Sequence, residues 1–266
     1  MSSPLIEVHE LTWAYREDGL VLDRISFELG EGEIVGVIGP NGCGKTTLLH
    51  LLAGLLRPGV DGRQEGSFVY RHAGRKAPIG FVFQDYRESL FPWRNVYGNV
   101  RAGRELLCAA TGRAWAQSDE DIVHRRISEL GLEDVQNKQP FEISGGQAQL
   151  TCVARTLALN ASLLILDEPT SSLHYNVRNM ILDALLAERS ESMRSILFSS
   201  HSLEEASLLG DRVVVLTPLP ATVCATEQSD LNYGRRTCDL GSPAHLVLYK
   251  KLLALTTTGK DLPDNF

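Results

Sequence analysis

The chain has 266 residues, 43 % of them hydrophobic and 22 % charged, with a formal net charge of -7. That is an ordinary globular balance, long enough for one large domain, or one domain with an inserted subdomain, to bury a sizeable core. The acidic balance argues against broad electrostatic binding to nucleic acid, so no nucleic-acid partner is expected.

The start, MSSPLIEVHE, lacks the basic residues and apolar run of a secretion signal. No apolar stretch approaches the ~20 residues that span a bilayer. The expectation is a chain soluble by itself, whose membrane part, if it works on a membrane, comes from a partner. The five cysteines, Cys43, Cys108, Cys152, Cys224 and Cys238, are scattered without a CxxC pair. A zinc site or disulfide framework is therefore not expected, and a reducing, cytosolic setting is the simplest reading.

Strand-like and helix-like segments alternate, which predicts an α/β fold with a largely parallel sheet. Residues 5–39 read as short strands with polar turns, and Ile34 to Ile38 as a strand buried on both faces. Thr46 to Ala53 reads as a helix stopped by Gly54. Residues 57–78, rich in Gly, Arg and Pro, read as a loop and hairpin. From about 88 to 160 the pattern turns mostly helical, as an insertion in the α/β core. There Ser118 is the expected N-cap of DEDIVHRRISEL and Gly131 its stop. Leu163 to Leu166, Ile196 to Phe198 and Val213 to Leu216 read as further buried strands. The tail from about Pro218 looks less regular, ending in a helix from near Pro243.

Residues 39–47 read GPNGCGKTT. Gly39, Gly44, Lys45 and Thr46 satisfy G-x-x-x-x-G-K-[ST], with Pro40, Asn41, Gly42, Cys43 and Thr47 completing the loop. Successive backbone N–H groups must wrap a polyphosphate closely, so glycines take the tight turns. The following helix aims its N-terminal N–H groups and dipole at the same anion. Lys45 is expected to reach the β- and γ-phosphates and Thr46 to offer a hydroxyl to Mg²⁺. Alone, the loop defines a nucleotide site and not its class.

Two segments fix the class. LLILDEPTSSLH at 163–174 resembles the Walker B strand and D-loop of ABC ATPases, and ISGGQAQL at 143–150 resembles the ABC signature. On the bland reading, the first is a strand ending in a solvated acidic turn and the second an S-x-x-Q cap made by Ser144 and Gln147. The resemblance implies more. Asp167 holds Mg²⁺ through water, and Glu168 polarises the attacking water. Ser144, Gly145, Gly146 and Gln147 present a helix N-terminus to the γ-phosphate of ATP held by a second subunit. Adjacent glycines weaken a helix and suit a backbone that approaches an anion.

Three further positions match the family pattern. Gln84 in FVFQDY corresponds to the Q-loop glutamine that touches Mg²⁺ and the attacking water. His201 corresponds to the switch histidine near the γ-phosphate, and Tyr15 to the aromatic that stacks on adenine. Edge-strand packing is the other reading of Tyr15. The resemblance, running from Val8 to about Leu255, implies a P-loop NTPase core with a mainly parallel sheet, an N-terminal antiparallel β subdomain and an inserted helical subdomain. It also implies ATP and Mg²⁺ as cofactors, and two ATPase subunits, of the same or different chain, closing on two ATPs to drive membrane-spanning permease subunits.

RESLFPWRNVYGNV after Gln84 resembles the importer group for nitrate, sulfonates and taurine, which implies a solute-binding protein and a place on the cytoplasmic side of the cell membrane. Phe91, Pro92 and Trp93 fit either a groove for a short permease helix or packing of the helical insertion. An exporter subunit and a non-transport ABC ATPase stay open. Three positions depart from the family: Leu150 where Arg is usual, His174 where the D-loop ends in Asp, and Ser202 where Asp follows the switch histidine. They leave room for an asymmetric pair or slow turnover. Cys43 reads as a small filler or, if exposed without nucleotide, as a thiol whose alkylation blocks ATP.

Overall fold

The computed structural model describes residues 4–15, 19–71, 78–171, 173–231 and 237–258, without the side chains of 88, 257 and 258. Two long strands open the chain, β1 (Ile6–Ala14) and β2 (Leu20–Leu29), followed by β3 (Ile34–Ile38) and helix α1 (Lys45–Leu52). Next come β4 (Arg63–Tyr70), β5 (Ile79–Val82), and helices α2 (Tyr86–Ser89), α3 (Val96–Thr111), α4 (Gln117–Glu129) and α5 (Gly145–Ala158). Strand β6 (Leu163–Asp167), helix α6 (Tyr175–Ser192), β7 (Ser195–Ser200), α7 (Leu203–Leu209), β8 (Arg212–Leu216), β9 (Val223–Gln228) and α8 (Pro243–Thr258) complete it.

The six-stranded sheet runs β5-β6-β7-β3-β8-β9. All its pairings are parallel except β8 with β9. β3, β6 and β7 are buried along their whole length, because both faces of the sheet are covered. Alternation divides each strand between two cores. Leu164, Leu166, Ile196 and Phe198 pack with α3–α6. Leu163, Ile165, Val35 and Val37 pack with α1 and the antiparallel sheet β2-β1-β4.

Four expectations are corrected here. Residues 57–78 form no hairpin as far as they are described (72–77 lie outside the described residues): β4 pairs with the distant β1. β1 and β2, of 9 and 10 residues, are long strands. The tail is more regular than expected, since β9 pairs antiparallel to β8 as the edge of the main sheet. And Ser118 is not the N-cap of α4. Ala116 holds that position, with the Asp119 carboxylate accepting its N–H at 2.8 Å. Asp119 is fully buried and also takes Arg104 at 2.7 Å and Arg113 at 2.5 Å. Arg113 above all, against the opposing effect of burial, holds its carboxyl well below the usual carboxylate range. The helix starts where this ion cluster needs Asp119, which outweighs the local preference for serine at a cap.

Candidate active site

Because β3, β5, β6 and β7 run parallel, their C-terminal ends open on one edge of the sheet, the usual place for a ligand in such folds. β3 feeds the loop 39–44 and then α1. The N-cap Gly44 offers α1 no side chain, and its first turn has no acidic residue, so the free N–H groups there suit an anion. Gly44 holds φ 109°, and a β-carbon on it would lie 2.8 Å from Val21. Lys45 is buried and donates to the carbonyls of Gly39 and Pro40 at 2.9 and 3.1 Å.

A cavity of about 530 Å³ opens in front of this loop, lined by Asn41, Gly42, Gly44, Lys45, Thr46, Thr47, Gln84, Glu168, Ser171 and His201. Gln84 follows β5, Glu168 follows β6 and His201 follows β7. The Glu168 carboxylate stands where they meet: 3.9 Å from Lys45 Nζ, 3.4 Å from Gln84 Nε2 and 3.4 Å from His201 Nδ1. A neighbouring cavity shares Thr46 and Gln84 and reaches Asp167 and His50. Burial lowers the titration of His50 below the ordinary histidine range, with Asp167 acting in the opposite sense.

Thr46, Gln84 and Asp167 therefore face a common space. Among the described residues no group of three or more His, Cys, Asp or Glu could hold a metal alone. A sparse set of oxygen donors beside a phosphate cradle fits a hard cation that keeps waters and shares phosphate oxygens, as Mg²⁺ does.

Tyr15 is 45 % exposed, its hydroxyl 3.1 Å from Thr47 Oγ1 and its ring edge-on to Trp13. The edge-strand reading does not hold, since Tyr15 follows β1, the central strand of the sheet β2-β1-β4, and much of its ring stays open beside the phosphate loop. Cys43 is corrected: it is 1 % exposed, its sulfur packed against Gly39, and burial pushes the thiol up. The filler reading stands and the alkylation switch falls. Cys43 is expected to stay unreactive toward a thiol reagent at pH 7 in the native chain, with or without ATP, and to react on unfolding. Rapid, ATP-protected labelling of Cys43 located by mass spectrometry would contradict this.

The signature is held apart. None of Ser144, Gly145, Gly146 or Gln147 lines the phosphate cavity of its own chain. Ser144 accepts from the Gln147 N–H at 3.2 Å while Gln147 Oε1 accepts from the Ser144 N–H at 3.0 Å, a closed capping box. A β-carbon on Gly145 would lie 2.5 Å from the Tyr86 hydroxyl, so that glycine also serves close packing on the segment after Gln84.

The three departures do not reach the cavity. Leu150 is buried in the helical core. His174 precedes α6 at its N-cap without a side-chain bond. Ser202 caps α7 by accepting from the Glu205 N–H, the duty an aspartate would perform. Ser172 of the D-loop lies outside the described residues. Sequence reasoning missed Ser171, which lines the cavity, and Ser199, whose hydroxyl donates to Asp167 Oδ1 at 2.6 Å and accepts from the Glu168 N–H at 3.0 Å. The available signal was the pair of serines, Ser199 and Ser200, that follows the apolar run Ile196 to Phe198 in SILFSS.

A strand–loop–helix phosphate cradle, with carboxylates delivered by a neighbouring parallel strand, defines a P-loop nucleotide hydrolase. The ABC transporter family profile matches residues 22–171. An uncharacterized ABC transporter ATP-binding protein of Methanocaldococcus jannaschii is 36 % identical over 93 % of this chain and 90 % of its own. The taurine import ATP-binding protein TauB of Escherichia coli K12 is 38 % identical over 81 % and 80 %. Among solved structures, the dimeric structure of a bacterial ABC transporter cassette superposes with a TM-score of 0.69 at 25 % identity, covering 84 % of this chain and 98 % of that one. The chain belongs to the ABC transporter family, as an ATP-binding subunit that hydrolyses ATP.

Proposed function

We propose that this chain energises an importer of small solutes of the taurine, sulfonate or nitrate kind, working on the cytoplasmic side of the cell membrane through permease subunits. What carries the hydrolytic part of the reading is the convergence of Lys45, Gln84 and His201 on one carboxylate, Glu168, in front of the phosphate loop. Kinship to a taurine import ATP-binding protein supports import over export.

In this reading, Lys45 and the backbone N–H groups of residues 41–47 hold the β- and γ-phosphates. Thr46, Gln84 and Asp167 would hold Mg²⁺, which when bound neutralises charge on the phosphate oxygens. Glu168 accepts a proton from the attacking water, Gln84 orients that water, and His201 faces the γ-phosphate. Tyr15 stacks on the base, so discrimination between purines is weak. Ser144 to Gln147 serve the nucleotide of a second ATPase subunit, and a solute-binding protein delivers cargo to the permease.

The coupling surface has a test. Trp93 is 74 % exposed, which rules it out as core filler. The guanidinium groups of Arg94 and Arg155 lie over the ring of Phe91 beside it, 5.8 and 5.3 Å from its centroid. An exposed aromatic on a fixed base suits a short permease helix. Trp93→Asp is expected to leave ATPase activity of the isolated subunit unchanged and to weaken copurification with the permease at least ~10-fold, as loss of an aromatic anchor does. Undiminished copurification would remove Trp93 from the coupling surface.

A further inference from the structure

Ser199 is fully buried near the C-terminal end of β7, directly opposite Asp167 on β6. A serine hydroxyl has one proton to give and two lone pairs to receive with. Here the proton goes to Asp167 Oδ1 at 2.6 Å, and a lone pair takes the Glu168 N–H at 3.0 Å. A single hydroxyl therefore holds two consecutive residues that carry the proposed chemistry.

The second of them needs holding. Glu168 sits at φ 45°, a left-handed conformation that is unfavourable for a residue with a side chain and persists only where its surroundings enforce it. The turn it makes carries the carboxylate away from the line of β6 toward Lys45, Gln84 and His201. Besides the Ser199 contact, the Glu168 backbone is tied by its carbonyl, which accepts from the Ser171 N–H at 3.2 Å. The sheet itself has no use for a hydroxyl at 199. β7 is buried along its length and its ladder with β3 and β6 is complete through this position, so alanine would serve packing nearly as well.

We infer that Ser199 is a positioning residue for hydrolysis: it occupies Asp167 Oδ1, leaving Oδ2 for the cation site, and it fixes the backbone that aims Glu168 at the cavity. This rests on the reading of Glu168 as the base. Ser199→Ala is expected to lower kcat about tenfold with KM for ATP within ~2-fold, the pattern of an interaction expressed in the transition state and not in ground-state binding. Titration calorimetry supplies the readout that a merely structural role would change: Glu168→Gln and Glu168→Gln/Ser199→Ala are expected to bind MgATP equally. Unchanged kcat in Ser199→Ala, or an equal loss of MgATP affinity in the double variant, would overturn the inference. Should the alanine chain fail to fold, Ser199→Cys, which fills the volume but donates weakly, carries the same comparison. Continued turnover by Glu168→Gln would defeat the base assignment itself. A dead Glu168→Gln beside an unimpaired Ser199→Ala would defeat only the role of Ser199.

Discussion

Replacing Glu168 with glutamine is expected to lower kcat by about 100- to 10,000-fold, the range that a positioned general base contributes, while ATP binding survives. The substitution keeps the shape of the side chain. It leaves Lys45, the free N–H groups of α1 and the loop glycines untouched, so the phosphate cradle keeps its anion contacts. What it removes is the carboxylate that Gln84 and His201 face and with it the proposed proton acceptor for water. ATP then binds without being consumed, and the ATP-bound assembly of two cassettes accumulates. Phosphate release under saturating ATP measures the first effect. Nucleotide affinity and the ATP dependence of dimer mass measure the second. Turnover at the wild-type rate would remove Glu168 from the role of base.

Much of this site was legible because its chemistry is local in sequence. The phosphate loop is a contiguous nonapeptide between a strand and a helix, and the strands around it are buried on both faces, so β3, β6, β8 and the Ile196 to Phe198 stretch of β7 appear as apolar runs. The S-x-x-Q spacing named the cap that Ser144 and Gln147 make. Features that depend on distant partners were not legible. β4 pairs with β1 across a long stretch of chain and is mostly exposed, so no apolar pattern marks it. β9 is an edge strand of mixed exposure for the same reason. The α4 cap moved because Asp119 answers to Arg104 and Arg113. Cys43 lies inside a polar motif yet packs beneath it, and the value of Ser199 appears only when β6 and β7 lie side by side.

Replacing Ser144 with arginine is expected to abolish hydrolysis while leaving nucleotide binding by the isolated chain within a few-fold of wild type. The separation follows from the geometry: the phosphate cavity is complete in outline without any signature residue, and the signature helix begins elsewhere with its capping box closed. A residue that met the γ-phosphate of its own chain's nucleotide would stand at that cavity, beside Lys45 and His201. Arginine at 144 removes the side-chain acceptor of the cap, a cost of about 1 kcal/mol, which the buried flank of α5 easily bears. The large effect is expected from the bulk and charge set where, on the proposed function, a helix N-terminus meets phosphate held by another subunit. Binding of a fluorescent ATP analogue to the isolated chain and phosphate release from the assembled protein separate the two effects. Equal loss of both would place the signature within its own chain's nucleotide site. Retained hydrolysis would mean that Leu150 and His174 mark a cassette whose signature has fallen out of use, with the composite site completed by a different ATPase chain.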